Sequence, residues 1–120
     1  MVIVKGGTFT NKGGFDSGFS SSDALIEIQG GGSLLNDGTI FVYSELVNQG
    51  GGSLTNNSNM YLDPINNTPA QLLNSGKFNN FFAFELDSSS ITNKANGVVN
   101  NGVAPQKGQP TQAQITLKDS

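Results

Sequence analysis

Apolar residues along this chain recur two positions apart in short bursts: Ile26 and Ile28, Ile40 and Val42, Met60 and Leu62, then Phe82, Phe84 and Leu86. A spacing of two puts one face of a β-strand inward, whereas a helix would show apolar positions at i, i+3, i+4 and i+7. Gly, Asn and Ser separate the bursts, so the pattern predicts many short strands joined by tight corners.

The bursts belong to a repeat. Gln29-Gly30-Gly31-Gly32-Ser33-Leu34 returns as Gln49-Gly50-Gly51-Gly52-Ser53-Leu54, 20 residues on. Five segments share a looser form with an apolar start, Asn third and a small residue fifth: Phe9 to Gly13, Leu34 to Gly38, Leu54 to Ser58, Leu72 to Gly76 and Ile91 to Ala95. The starts at 34, 54, 72 and 91 are 20, 18 and 19 residues apart, and the step of 25 from Phe9 to Leu34 predicts an insertion around Ser17 to Ser22. Six places after the start, Phe15, Ile40, Met60 and Phe78 are apolar, while the fifth copy has Gly97 and reads as a degraded terminal coil.

Short strands at this period predict an all-β fold, a short parallel β-helix (β-solenoid) of about five coils. Residues 1–102 form the solenoid, with Val2-Ile3-Val4 capping one end as a strand. Residues 103–120, with Pro105 and Pro110, form an extended C-terminal arm ending in an edge strand. The third-place residues Asn11, Asn36, Asn56, Asn74 and Asn93 are expected to stack as a structural ladder, because an amide both donates and accepts. Over residues 9 to 102 these coils resemble the Asn- and Gly-rich coils of right-handed β-helix proteins. That group includes filamentous-haemagglutinin-like adhesins, phage tailspikes and polysaccharide lyases. In size and composition the chain is also similar to capsid decoration (cement) proteins of tailed phages.

Composition removes most chemistry. The 120 residues include 16 Gly and 15 Asn, but no His, Cys, Trp or Arg. There is accordingly no imidazole base, thiol nucleophile or guanidinium clamp. A net charge of −3 with six scattered Lys argues against nucleic-acid binding, and no apolar run reaches membrane-spanning length. Glu85 and Asp87 are the best carboxylate pair, yet the alternation of Phe82, Phe84 and Leu86 turns them to solvent. Asp16 and Asp23 lack the spacing of a calcium loop, and the Gly runs lack the Lys-Ser/Thr of a phosphate loop. No catalytic residue, metal or cofactor is expected.

Function is therefore expected on the surface. If Ile40, Val42, Met60 and Leu62 face inward, Phe41, Tyr43 and Tyr61 face outward on adjacent coils, and Phe81 continues the stripe. In the arm, Ile115 and Leu117 alternate like an edge strand, which is expected either to add to a sheet of a neighbouring subunit, the preferred reading, or to fold back on its own coil. These features and the resemblance together imply a capsid decoration protein. It would be a homo-oligomer, a trimer, contacting the major capsid protein or another virion protein. Met1 to Gly6 does not form a signal peptide, so synthesis in the host cytoplasm and residence in the virion are expected. The alternative is a fibre or adhesin module binding a cell-surface glycan.

Overall fold

The computed structural model describes residues 2–16, 25–63, 69–94, 96–102 and 114–118, with backbone alone at 15–16 and 114–118. The expected insertion at Ser17 to Ser22 lies outside the described residues. The chain is an all-β, three-sided parallel solenoid. Its first rung is β1 (Val2–Val4), β2 (Thr8–Asn11) and β3 (Gly14–Asp16). The second is β4 (Leu25–Ile28), β5 (Ser33–Asn36) and β6 (Thr39–Val42). The third is β7 (Glu45–Asn48), β8 (Ser53–Asn56) and β9 (Asn59–Leu62). The fourth is β10 (Gln71–Asn74), β11 (Lys77–Asn80) and β12 (Ala83–Asp87). The fifth is β13 (Ser90–Asn93), β14 (Val98–Asn101) and β15 (Gln114–Lys118).

Each side stacks five strands, so roughly four turns of chain separate its ends: β1-β4-β7-β10-β13, β2-β5-β8-β11-β14 and β3-β6-β9-β12-β15. We call these the first, second and third sheets. The second and fourth residues of every four-residue strand in the second, third and fourth rungs are buried, which is the period-two pattern of the sequence made physical. Ile28, Ile40, Leu46, Leu54, Met60 and Leu72 are wholly inaccessible. Each such side chain stabilises the rod by about 1.5–3 kcal/mol relative to exposure. Phe78 and Phe84 meet across the core with centroids 4.9 Å apart and a 55° tilt, which fills the fourth rung.

The register corrects how the repeat was assembled. Phe9, Leu34, Leu54, Phe78 and Val99 form one column of the second sheet, so the third step runs from Leu54 to Phe78. Leu72 and Ile91 belong instead to the first sheet, over Leu46 and Ile26. The expected single Asn ladder is therefore two. In the second sheet Asn11 donates to Asn36 at 2.9 Å, Asn36 to Asn56 at 2.7 Å, Asn56 to Asn80 at 2.8 Å and Asn80 to Asn101 at 2.9 Å. In the first sheet Asn48 donates to Asn74 at 2.7 Å and Asn74 to Asn93 at 2.9 Å. Asn74 and Asn93 sit in this shorter column because the motif Leu-Leu-Asn-x-Gly serves two different corners.

Each ladder amide also ties the corner beyond it. Asn36 Nδ2 donates to Gly38 O at 3.1 Å and to Asn59 O in the next rung at 2.8 Å. Asn48 marks where the first-sheet ladder begins: beneath it in register stands Ile28, which offers no donor. Asn48 Oδ1 is consequently buried without a partner. Ile28→Asn would supply one. It is expected to cost about 1–3 kcal/mol less than Ile40→Asn, the same exchange at a site with no waiting acceptor. Guanidinium unfolding of the two variants checks this.

A glycine column lines the corner between the first and second sheets. Gly7, Gly32, Gly52, Gly76 and Gly97 each precede a strand of the second sheet. The following amides reach down to the rung below, Ser33 N to Gly7 O at 2.8 Å and Lys77 N to Gly52 O at 2.9 Å. A Cβ on Gly76 would collide with Gly52 O and lie 2.5 Å from Gln49 O. Close backbone approach, more than turn conformation, requires glycine there.

At the C-terminal end, β15 pairs in parallel with β12 of its own chain, Phe84 with Ile115 and Leu86 with Leu117. The arm was expected to exchange with a neighbour or to fold back on its own coil. In this chain its strand takes the place beside β12 that would otherwise leave the third sheet one strand short.

Candidate functional site

The outer face of the third sheet carries the aromatic residues. In strand β6 Ile40 and Val42 are buried, so Thr39 and Phe41 face out, and in β9 Met60 and Leu62 leave Asn59 and Tyr61 outward. Parallel register places Phe41 directly beside Tyr61. Their ring centroids are 5.1 Å apart with planes inclined by 21°. That distance is close to the roughly 4.8 Å between neighbouring strands, so the rings stack along the rod. Tyr43, at the corner after β6, lies nearly parallel to Phe41, with centroids 6.1 Å apart and a 5° inclination. All three residues are half-buried.

Stacking along the rod has a chemical consequence. One face of the Phe41 ring is used on Tyr61. Recognition of a sugar ring relies on an open aromatic face.

The stripe is shorter than the sequence suggested. Phe81 lies at the corner between β11 and β12, beside the position of Gly102, and its amide bonds Asn56 O at 2.8 Å. The residue that follows Tyr61 in the column is Glu85. Phe82, expected on the inward side with Phe84, is a corner residue 37% exposed, because β12 begins at Ala83. Ile115 and Leu117 stand in register opposite Phe84 and Leu86, and their side chains lie outside the described residues. Asp87 shares the outer face with Glu85, as alternation predicts, and both are half-buried.

The column thus runs from aromatic to acidic within two rungs. Asp87 flanks it at the end of β12, and Asp63 follows the last residue of β9. Among the described residues no three of His, Cys, Asp and Glu come together to hold a metal ion. Sequence reasoning missed Asn48, Asn80 and Asn101 as ladder members. Their signal was an Asn in the last place of a strand, irrespective of which sheet that strand enters.

No protein-family model matches the chain, and comparison with curated proteins and with solved structures gives no match either.

Proposed function

We propose that the chain is a structural assembly protein, and more specifically a capsid decoration protein that docks through the outer face of its third sheet. The observation that carries this reading is the half-buried Phe41–Tyr61 stack on the outer face of the third sheet, where Thr39 and Asn59 are the other outward residues of the same two strands. A rigid aromatic cluster on a preformed sheet loses little conformational entropy on docking, which is what makes such residues interface anchors. Glu85 and Asp87 beside it oppose docking of the same face on a second copy and favour a partner with a basic rim. Complementary rim charges also make the contact weaken as salt rises.

Virus particles purified by density gradient from the host that makes this chain are expected to carry it in many copies. Particles stripped of it should rebind wild-type protein. They should bind Phe41→Ser/Tyr61→Ser at least about tenfold more weakly, the factor for losing about 1.4 kcal/mol at an aromatic anchor. Particles that never contain the chain, or that rebind the double variant equally, would refute the proposal.

A further inference from the structure

We infer that the two ends of the solenoid are complementary and that copies of this chain stack head to tail, β13–β15 of one copy against β1–β3 of the next. This does not rest on the decoration reading, which uses the side of the rod. Every strand pairing in the chain is parallel and in register across three sheets. The proposed contact is therefore the same interface that joins successive rungs inside the molecule, and two five-rung copies would continue all three sheets without change of polarity. Among the described residues, no strand lies beyond the first rung or the fifth.

The side chains at the ends support the same contact. Val2 and Phe9 at one end, and Ile91 and Val99 at the other, pack against the core yet are only half-buried. Their column-mates Ile26, Leu34, Leu46 and Leu54 are between 0% and 2% exposed. Stacking would set Ile91 over Val2 and Val99 over Phe9 and bury these half-exposed side chains further. Strand direction allows only this orientation. Stacking would set Asn101 over Asn11 in the second sheet, and in the first sheet Asn93 over Val4, which carries no amide. A head-to-head contact would reverse the strand direction. A head-to-tail contact of this kind does not close, so it propagates as a filament.

One pair of charges opposes it. At the corner leaving the first sheet, Gln29 N bonds Val4 O, Gln49 N bonds Ile28 O, Ser75 N bonds Asn48 O and Lys94 N bonds Asn74 O. The same column begins at Lys5, so stacking brings Lys94 over Lys5. This like-charge contact restrains assembly at low ionic strength and is screened in salt. Assembly of the ends should thus strengthen with salt, opposite to docking of the acidic third-sheet face.

The experiment is sedimentation velocity on the 120-residue chain in about 0.05 M and about 1 M sodium chloride, with negative-stain microscopy of the heavier fractions. Wild type is expected to form a concentration-dependent series of integer multiples, and rods in the images, with association about twofold to fivefold tighter in high salt. Lys5→Glu should raise association at low salt and remove the salt enhancement. Val99→Lys should keep the far-ultraviolet dichroism of wild type and stop assembly, while Phe41→Ser should leave it unchanged. Wild type and Lys5→Glu that both stay monomeric in both salts would overturn the inference. So would oligomers of one fixed size that disappear with Phe41→Ser and ignore Lys5→Glu. If Val99→Lys fails to fold, the Lys5→Glu comparison decides alone.

Discussion

Replacing Asn56 by alanine is expected to lower the unfolding free energy by about 3–5 kcal/mol, an unusually large effect for one small polar side chain. Asn56 is wholly buried at the middle of the longer ladder. Its Nδ2 donates to Asn80 Oδ1 at 2.8 Å, to Ala83 O at 2.8 Å and to Ser58 O at 3.1 Å. Its Oδ1 accepts from Asn36 Nδ2 at 2.7 Å. Alanine would leave Asn80 Oδ1 without that donor and Asn36 Nδ2 without that acceptor, and would open a void between them. Each buried polar group deprived of a partner costs about 1–3 kcal/mol, and the void adds to this. The adjacent Asn57 is exposed, and its side chain donates to Asp37 Oδ1 at 2.9 Å on the surface. Asn57→Ala should therefore cost less than about 0.5 kcal/mol. Guanidinium unfolding of both variants provides the test, and losses within about 1 kcal/mol of each other would show that the ladder is not the main internal tie.

Gly76→Ala should destabilise the chain by about 3 kcal/mol, near the upper end for overpacking. The added methyl group meets two backbone carbonyls, those of Gly52 and Gln49, and Asn48 Nδ2 at 3.0 Å. None is the free end of a flexible side chain. Gly52 O is already the acceptor for Lys77 N at 2.9 Å, so relief would break an inter-rung bond. Gly50, in the neighbouring corner, offers a sharp contrast: a Cβ there would lie 3.9 Å from Ser75 O, an ordinary van der Waals contact. Gly50→Ala should be close to neutral. Thermal melts of the two alanine variants separate packing from composition, since both remove one glycine from the same Gly-rich edge. Equal melting temperatures would contradict the stacked-glycine account.

Both predictions concern features that were only partly legible in the sequence. That Asn56 stacks follows from the recurring Asn and from amide chemistry. Its upper neighbour was expected to be Asn74 and is Asn80, since Leu54 pairs with Phe78 and not with Leu72. Gly76 looked like an ordinary turn residue until the rung beneath supplied Gly52 and Gln49. The outer aromatic pair was readable because Phe41 and Tyr61 lie within uninterrupted strands, where alternation decides the side. Phe81 was misassigned for the converse reason. It lies in a corner, between Asn80 and Ala83, where counting by two no longer reports direction.

By itself, the sequence determined the strand type, the inward positions and the presence of stacked Asn. These depend on local alternation and on the chemistry of one side chain at a time. Only the tertiary structure decided which Asn stacks on which. A strand of four residues with a two-residue corner repeats every six residues within a coil, while the whole coil repeats at 19 to 26 residues in the first sheet. Leu34-Leu35-Asn36-Asp37-Gly38 and Leu72-Leu73-Asn74-Ser75-Gly76 read alike, yet one turns from the second sheet to the third and the other from the first to the second. Corner length does not separate the two, since Asp37 and Gly38 make a two-residue corner and so do Ser75 and Gly76. Local pattern cannot register that difference. Burial against the preceding rung can, because a slip by one side of the prism would bring Ile28, which carries no amide, beneath Asn56 and leave the ladder broken at its centre.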